Sequence, residues 1–191
     1  MIEPTINNVM ANGELSNDKN IDLAYLASKM QGSTFNKKKF SGIVIRKSQP
    51  KVTVLFFRSG KFMVLGSVSL DDTECASRKL VKDINKILNE NFSLKSWKVS
   101  NLVANGHLGY PINMGALAEE SYAYKDDKHA GVHLKLEEIK IAIVYKNGAV
   151  MLTGATSLEN IQRTFYKLVK KLERFKVKGL KEDLKNGSVT P

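Results

Sequence analysis

Asn8–Leu15 reads NVMANGEL, and Asn101–Leu108 reads NLVANGHL. Five of the eight positions are identical, among them the pairs Asn8/Asn101 and Asn12/Asn105. A longer echo lies further along. VLFFRSGKFMVLGS at Val54–Ser67 returns as AIVYKNGAVMLTGA at Ala142–Ala155, aligning Gly60, Met63 and Gly66 with Gly148, Met151 and Gly154. A third match sets Leu80, Val81 and Ile84 against Leu168, Val169 and Leu172. The offset is 93 residues for the first match and 88 for the other two, so the second copy is about five residues shorter in its middle. The chain is an imperfect tandem duplication, not a short-period solenoid.

The elements of one copy are legible. TINNVMAN has the apolar alternation of a strand. IDLAYLASKM spaces Leu23, Leu26, Ala27 and Met30 as a helix does, with Asn20 as its N-cap. FSGIVIRK and KVTVLFF read as strands joined through Ser48–Gln49–Pro50, and RSGK turns into a third strand, FMVLGSV. The segment from Asp71 to Phe92 follows as a long amphipathic helix with acids at its start. The predicted order per copy is strand, helix, three strands, helix, with a short strand near Ser93–Lys98 where the copies meet. Hairpin connections imply an antiparallel sheet with all helices on one face, an α+β fold.

Composition narrows the function. With 191 residues, 42% of them hydrophobic, the chain can bury a substantial core. No apolar run approaches the roughly 20 residues that span a bilayer, so no membrane partner is expected. The opening MIEPTINN lacks a secretory pattern, and one cysteine, Cys75, excludes an intramolecular disulfide. These features suit an intracellular protein. The net charge of +11 points to a polyanionic partner. Segment 36–61 concentrates it, with eight basic residues and no acid, Arg46, Lys61 and the run Lys37–Lys39 among them. Segment 125–149 has five lysines against four acids. No phosphate-binding loop, paired cysteines or metalloprotease motif is present, so an enzyme is not expected. His107 and His133 have no acidic or cysteine neighbours at metal-ligand spacing, and neither a metal nor a cofactor is expected.

Taken together, NNVMAN, FSGIVIR, SQPK, FRSGK and VLGS in the first copy, and NLVAN, HAGVHLK, YKNGA and LTGA in the second, resemble the TATA-box-binding protein core domain. The resemblance runs from about Thr5 to Val177. It implies a pseudo-twofold saddle, a curved ten-stranded antiparallel sheet with four helices on its convex face. Residues 1–96 would form the first repeat, 97–178 the second and 179–191 a basic tail. It implies a transcription initiation factor that binds the minor groove of double-stranded, A·T-rich promoter DNA, bends it and recruits other factors.

A strand points Asn8, Met10 and Asn12 one way, and likewise Asn101, Val103 and Asn105. Amides among apolar side chains suit a minor groove in which A·T pairs offer only acceptors. The resemblance adds Phe40 and Phe57 as a wedge entering a base step. It places Leu55, Ser59, Met63 and Leu65 on the same surface, with Lys135, Ile143, Met151 and Thr153 in the second copy. There the wedge positions hold His129 and Tyr145, Ala149 replaces the turn lysine, and LEEIK replaces the proline turn with one residue fewer. Leu65 stands where the family has a threonine, which Thr153 retains. The charge contrast and the altered wedge predict a polarised saddle gripping DNA mainly through its first half.

The resemblance further implies a B-type general factor docking near Asp127, an A-type factor, and a homodimer through the concave face of the free protein. The chain's lysine- and asparagine-rich usage, with so divergent a second half, suggests a large DNA virus, which would place the protein at a cytoplasmic replication site instead of the nucleus. The alternative is a scaffold of the same fold that binds transcription factors and reads TATA DNA weakly.

Overall fold

A computed structural model describes residues 1–17, 20–126 and 130–177. The repeated stretch is extended in both copies: β1 (Ile2–Leu15) carries the first and β6 (Leu94–His107) most of the second. In β1 the side chains of Val9, Ala11 and Leu15 are buried, while Asn8, Met10, Asn12 and Glu14 alternate onto the other side and are half-buried. That period of two is the pleat of a strand with one face packed.

After β1 come α1 (Leu23–Lys29), β2 (Ser33–Phe35), β3 (Ile43–Ser48), β4 (Lys51–Phe56), β5 (Lys61–Ser67) and α2 (Leu70–Leu88). After β6 the same order returns as α3 (Met114–Ala118), β7 (Ala123–Lys125), β8 (Val132–Lys135), β9 (Ile141–Val144), β10 (Ala149–Ala155) and α4 (Leu158–Leu172), followed by a 3₁₀ turn at Glu173–Phe175. The ten strands hydrogen-bond in the order β2-β3-β4-β5-β1-β6-β10-β9-β8-β7. Pairing is antiparallel, as the hairpin connections required.

Three expectations need correcting. The N-cap of α1 is Asp22, not Asn20: its carboxylate accepts from the backbone N–H groups of Ala24 and Tyr25, at 2.9 and 3.1 Å. Each copy has four strands after its first helix, not three, because β2 and β7 are too short for periodicity to show. The separate strand expected near Ser93–Lys98 is the first half of β6, so the count of ten arises from different strands.

The chain divides into two compact units. The first comprises Ile6–Ala104 and Gly154–Leu158. Its core joins Leu23 and Leu26 of α1, and Ala76, Leu80, Val81 and Ile84 of α2, to Ile43, Ile45, Val54, Phe56, Phe62 and Val64 of the strands. Both helices therefore cover one face of β5-β4-β3-β2. Each fully buried large side chain here contributes about 1.5–3 kcal/mol relative to exposure. α2 is capped by Ser69, whose hydroxyl accepts from the Asp72 N–H at 3.2 Å, and it ends at Asn89 in the left-handed region. Trp97 of β6 donates from Nε1 to Ser77 of α2 at 2.9 Å.

The second unit comprises Met1–Thr5, Asn105–Thr153 and the described residues from Glu159 onward. Its buried side chains include Leu117 of α3, Val132 and Leu134 of β8, Ala142 and Val144 of β9, Val150 and Leu152 of β10, and Ile161, Phe165, Leu168 and Leu172 of α4. The last four recur at helical spacing, the inward stripe of an amphipathic helix. Ile143, although it alternates away from the core residues of β9, is also buried.

Candidate nucleic-acid interface

In each unit, the sheet face away from the helices is called the open face. On the first unit it is built from cross-strand rows. One row runs Val44–Leu55–Met63–Asn12 and the next Arg46–Thr53–Leu65–Met10. Most of these side chains are half-buried by their neighbours; Arg46 is exposed. Lys47, one residue on, turns to the other face and pairs with Asp83 of α2 at 2.9 Å, which confirms which side Arg46 occupies. Such a surface is apolar with a few amide and hydroxyl groups and a basic margin.

Phe40 and Phe57 are in contact. The rings of Phe40 and Phe57 lie edge to face with centroids 5.6 Å apart, both half-buried. Phe56, the last residue of β4, is fully buried on the opposite face. Gly42 leaves room for the strand and the pair alike: a Cβ there would sit 2.7 Å from the Phe56 carbonyl oxygen, 2.9 Å from Phe40 Cε1 and 3.1 Å from Phe57 Cδ1. Beyond Phe57 the chain turns tightly. The Phe57 N–H donates to Lys61 O and the Gly60 N–H to Phe57 O, each at 2.9 Å. Ser59 and Lys61 are thereby presented at the tip, exposed. Lys37, Lys38, Lys39, Lys51 and Arg58 are exposed too, and none forms an ion pair among the described residues.

The asparagines are more constrained than sequence suggested. The Gly66 N–H donates to Asn8 Oδ1 at 3.0 Å, and the Gly154 N–H donates to Asn101 Oδ1 at 2.7 Å. Asn101 Nδ2 lies 3.8 Å from the Met10 sulfur. Because a backbone N–H can only donate, the carbonyl end of each amide must face its glycine and the NH₂ end must point elsewhere. Asn12 is half-buried with its Oδ1 enclosed and unbonded. Val103 is half-buried on the same strand as Asn101.

Glu14, which sequence reasoning passed over, closes the open-face series of β1. Lys95 donates to it at 2.8 Å, and that bond, with Lys61 nearby, holds the carboxyl below the ordinary carboxylate range. Val44 and Thr53 were missed as well. Counting in twos from Arg46, Leu55 and Met10 along their own strands would have found all three.

On the second unit the open-face row is Tyr124–His133–Ile143–Met151, with Lys135–Ile141–Thr153 beside it. Asn105 is exposed, and Met151 and Thr153 are half-buried. Ile143 and His133 present little surface. The tilted rings of Tyr124 and His133 stand 5.1 Å apart, and the Lys135 ammonium is 5.5 Å from the Tyr124 centroid. Tyr145 reproduces the Phe57 turn: its N–H donates to Ala149 O and the Gly148 N–H to Tyr145 O, each at 2.9 Å. His129 and Asp127 lie outside the described residues, as does the tail 179–191.

Charge is tied down in this unit. Glu138 bonds Lys167 and Thr164 of α4, so it belongs to the helix side, and the Lys167 hydrogen bond lowers its pKa. Arg174 pairs with Glu120 at 2.8 Å, and Lys171 lies 3.3 Å over the Tyr122 ring.

Residues 3–87 and 96–175 match the family described as "Transcription factor TFIID (or TATA-binding protein, TBP)". The chain belongs to the TATA-binding protein family. It is 32% identical over 168 residues to the TATA-box-binding protein of Emericella nidulans, covering 86% of this chain and 62% of that protein. It is 29% identical over 172 residues to that of Archaeoglobus fulgidus, covering 87% and 93%. The solved structure of the Methanococcus jannaschii TBP superposes with a TM-score of 0.76 at 28% identity, over 90% of this chain and 99% of that one. Against the TATA-binding protein pattern, the first unit departs at Leu65 and the second at Tyr145 and Ala149. Tyr145 and Ala149 keep the turn hydrogen bonds that Phe57 and Lys61 make in the first unit.

Proposed function

We propose that this TATA-binding protein family member is an initiation factor whose open faces receive the minor groove of A·T-rich promoter duplex and bend it. The two repeats, 1–96 and 97–178, would act as one reader. The observation that carries this reading is the Phe40–Phe57 pair at the end of an apolar open face, margined by lysines and an arginine without ion-pair partners. Asn8, Met10, Asn12, Leu55, Met63, Leu65, Asn101 and Val103 would lie against base and sugar edges, with Asn105, Met151 and Thr153 continuing in the second repeat. Arg46, Ser59, Lys61 and Lys135 would hold phosphates. Inserting an aromatic wedge costs a few kcal/mol of unstacking per step, offset by the surface the bent duplex brings into contact.

Segment 125–149 sets four acids against its five lysines whereas segment 36–61 has eight basic residues and no acid, so the first repeat would supply most of the grip. Recruitment of a B-type and an A-type factor, and self-pairing of the free protein, follow from the family reading. The test is affinity for an A·T-rich duplex across salt concentrations. Each phosphate contact contributes about 0.9 to the logarithmic slope. Replacing Arg46 and Lys61 with Ala should flatten it by up to about two. Binding that ignores salt, or a variant with an unchanged slope, refutes the phosphate assignments. The scaffold reading draws on Glu14, an acid on the open face. It gains if A·T-rich and G·C-rich duplexes bind equally weakly.

A further inference from the structure

The bonds from Gly66 and Gly154 to the two asparagines repeat with the same partners and the same backbone. Gly66 has φ +91° and Gly154 φ +89°, both in the left-handed region that L side chains rarely adopt. The β1–β5 register explains the first. Val9 faces Ser67 and Met10 faces Leu65, so Gly66 is the extra residue of a bulge, with no partner on β1. A bulge re-aims one peptide group, and here the released N–H points at Asn8 Oδ1.

Space is not the reason for glycine at this position. A Cβ built on Gly66 would meet nothing nearer than Thr53 N at 4.0 Å. What the site needs is the positive φ that directs the N–H. Both glycines are followed by a small residue and a helix-side turn, yet only the N–H direction is shared with the asparagine in each copy.

We infer that Gly66 and Gly154 are positioning residues, which hold the Asn8 and Asn101 amides with NH₂ outward and so restrict both to donating. This rests on the minor-groove reading given above. A free amide can rotate by half a turn and offer either a donor or an acceptor. A clamped one offers only N–H. In the minor groove every base pair presents acceptors, and only G·C adds a donor, the guanine amino group. An amide able to flip would accept from that group. A clamped amide cannot, and it opposes guanine with N–H against N–H. The clamp thus turns two asparagines into a filter against G·C at the base pairs they face.

The test uses the full chain with three duplexes that differ only at the central base pairs: A·T, I·C and G·C. Inosine lacks the guanine amino group, so I·C presents the A·T acceptor pattern. Wild type should bind A·T and I·C alike and G·C more weakly. Gly66→Ala should reduce the preference for A·T over G·C about fivefold or more, the scale of one hydrogen bond gained or lost. The double variant Gly66→Ala/Asn8→Ala should discriminate no worse than Asn8→Ala, because the glycine acts through the asparagine. D-alanine introduced at position 66 by semisynthesis favours positive φ and retains the N–H, so it should restore discrimination even if L-alanine perturbs folding. Three results are decisive. A wild type without A·T preference overturns the minor-groove reading and this role with it. A selective wild type whose Gly66→Ala variant keeps the same ratio overturns the clamp alone. So does a D-alanine variant that folds, binds and fails to discriminate.

Discussion

Phe56 is fully buried and its neighbour Phe57 only half-buried, so truncating each in turn tests the proposed wedge against a place in the core. Phe56 is fully buried among Ile43, Phe62 and Val64. Phe56→Ala should cost about 3–5 kcal/mol, lost transfer energy plus a residual cavity. At about 2–4 °C per kcal/mol for a chain of this length, Tm falls by roughly 6–20 °C. Phe57 is half-buried, and its distinctive contact is the edge-to-face pair with Phe40 at 5.6 Å. Losing that pair costs about 0.5–1.5 kcal/mol beyond area. Phe57→Ala therefore lowers Tm by a few degrees while removing half of the wedge. The assay pairs thermal unfolding with energy transfer between the ends of a labelled A·T-rich duplex. Phe57→Ala should stay folded, still bind, and lose most of the transfer gain. If instead it loses as much stability as Phe56→Ala while bending persists, Phe57 belongs to the core and the wedge assignment is wrong.

Gly42→Ala should push the Phe40 and Phe57 rings apart and weaken bending several-fold, read by the same energy transfer, with a stability loss of about 1–3 kcal/mol. Glu14→Gln removes the open-face carboxylate beside Lys61, so duplex affinity should rise several-fold and the salt slope steepen by about one, measured by anisotropy titration. Lys95 and Lys167 hold the Glu14 and Glu138 carboxyls below the ordinary carboxylate range. Each pair thus contributes stability present above the unfolded carboxylate pKa and lost as pH falls through the folded value. Denaturation midpoints should decline in that acid window, and less steeply in the double variant Glu14→Gln/Glu138→Gln.

Much of this was legible because a duplicated chain states its pattern twice. Gly60/Gly148, Met63/Met151 and Gly66/Gly154 marked the same turn and strand in both copies, and the structure gives them the same hydrogen bonds. The alternation around Asn8, Met10 and Asn12 placed the open face correctly. The missing parts have physical reasons. Ser33–Phe35 and Ala123–Lys125 are strands of three residues, too short for a period of two to emerge. Asp22 displaced Asn20 as the cap because the helix begins at Leu23, a boundary that side-chain spacing does not define. The asparagine clamps depend on a backbone bulge, and only the paired glycines hinted at it. Glu138 is one of the four acids counted in segment 125–149, and its bond to Lys167 puts it against α4. That contact joins residues 29 positions apart, beyond the reach of any local pattern.

The most direct test of the account is the end-to-end distance of two duplexes of equal length, one A·T-rich and one G·C-rich, each titrated with the intact protein. The account predicts a marked shortening of the A·T-rich duplex alone, at concentrations where the G·C-rich one is unbent. Saturable binding to both with no change in either distance would contradict it.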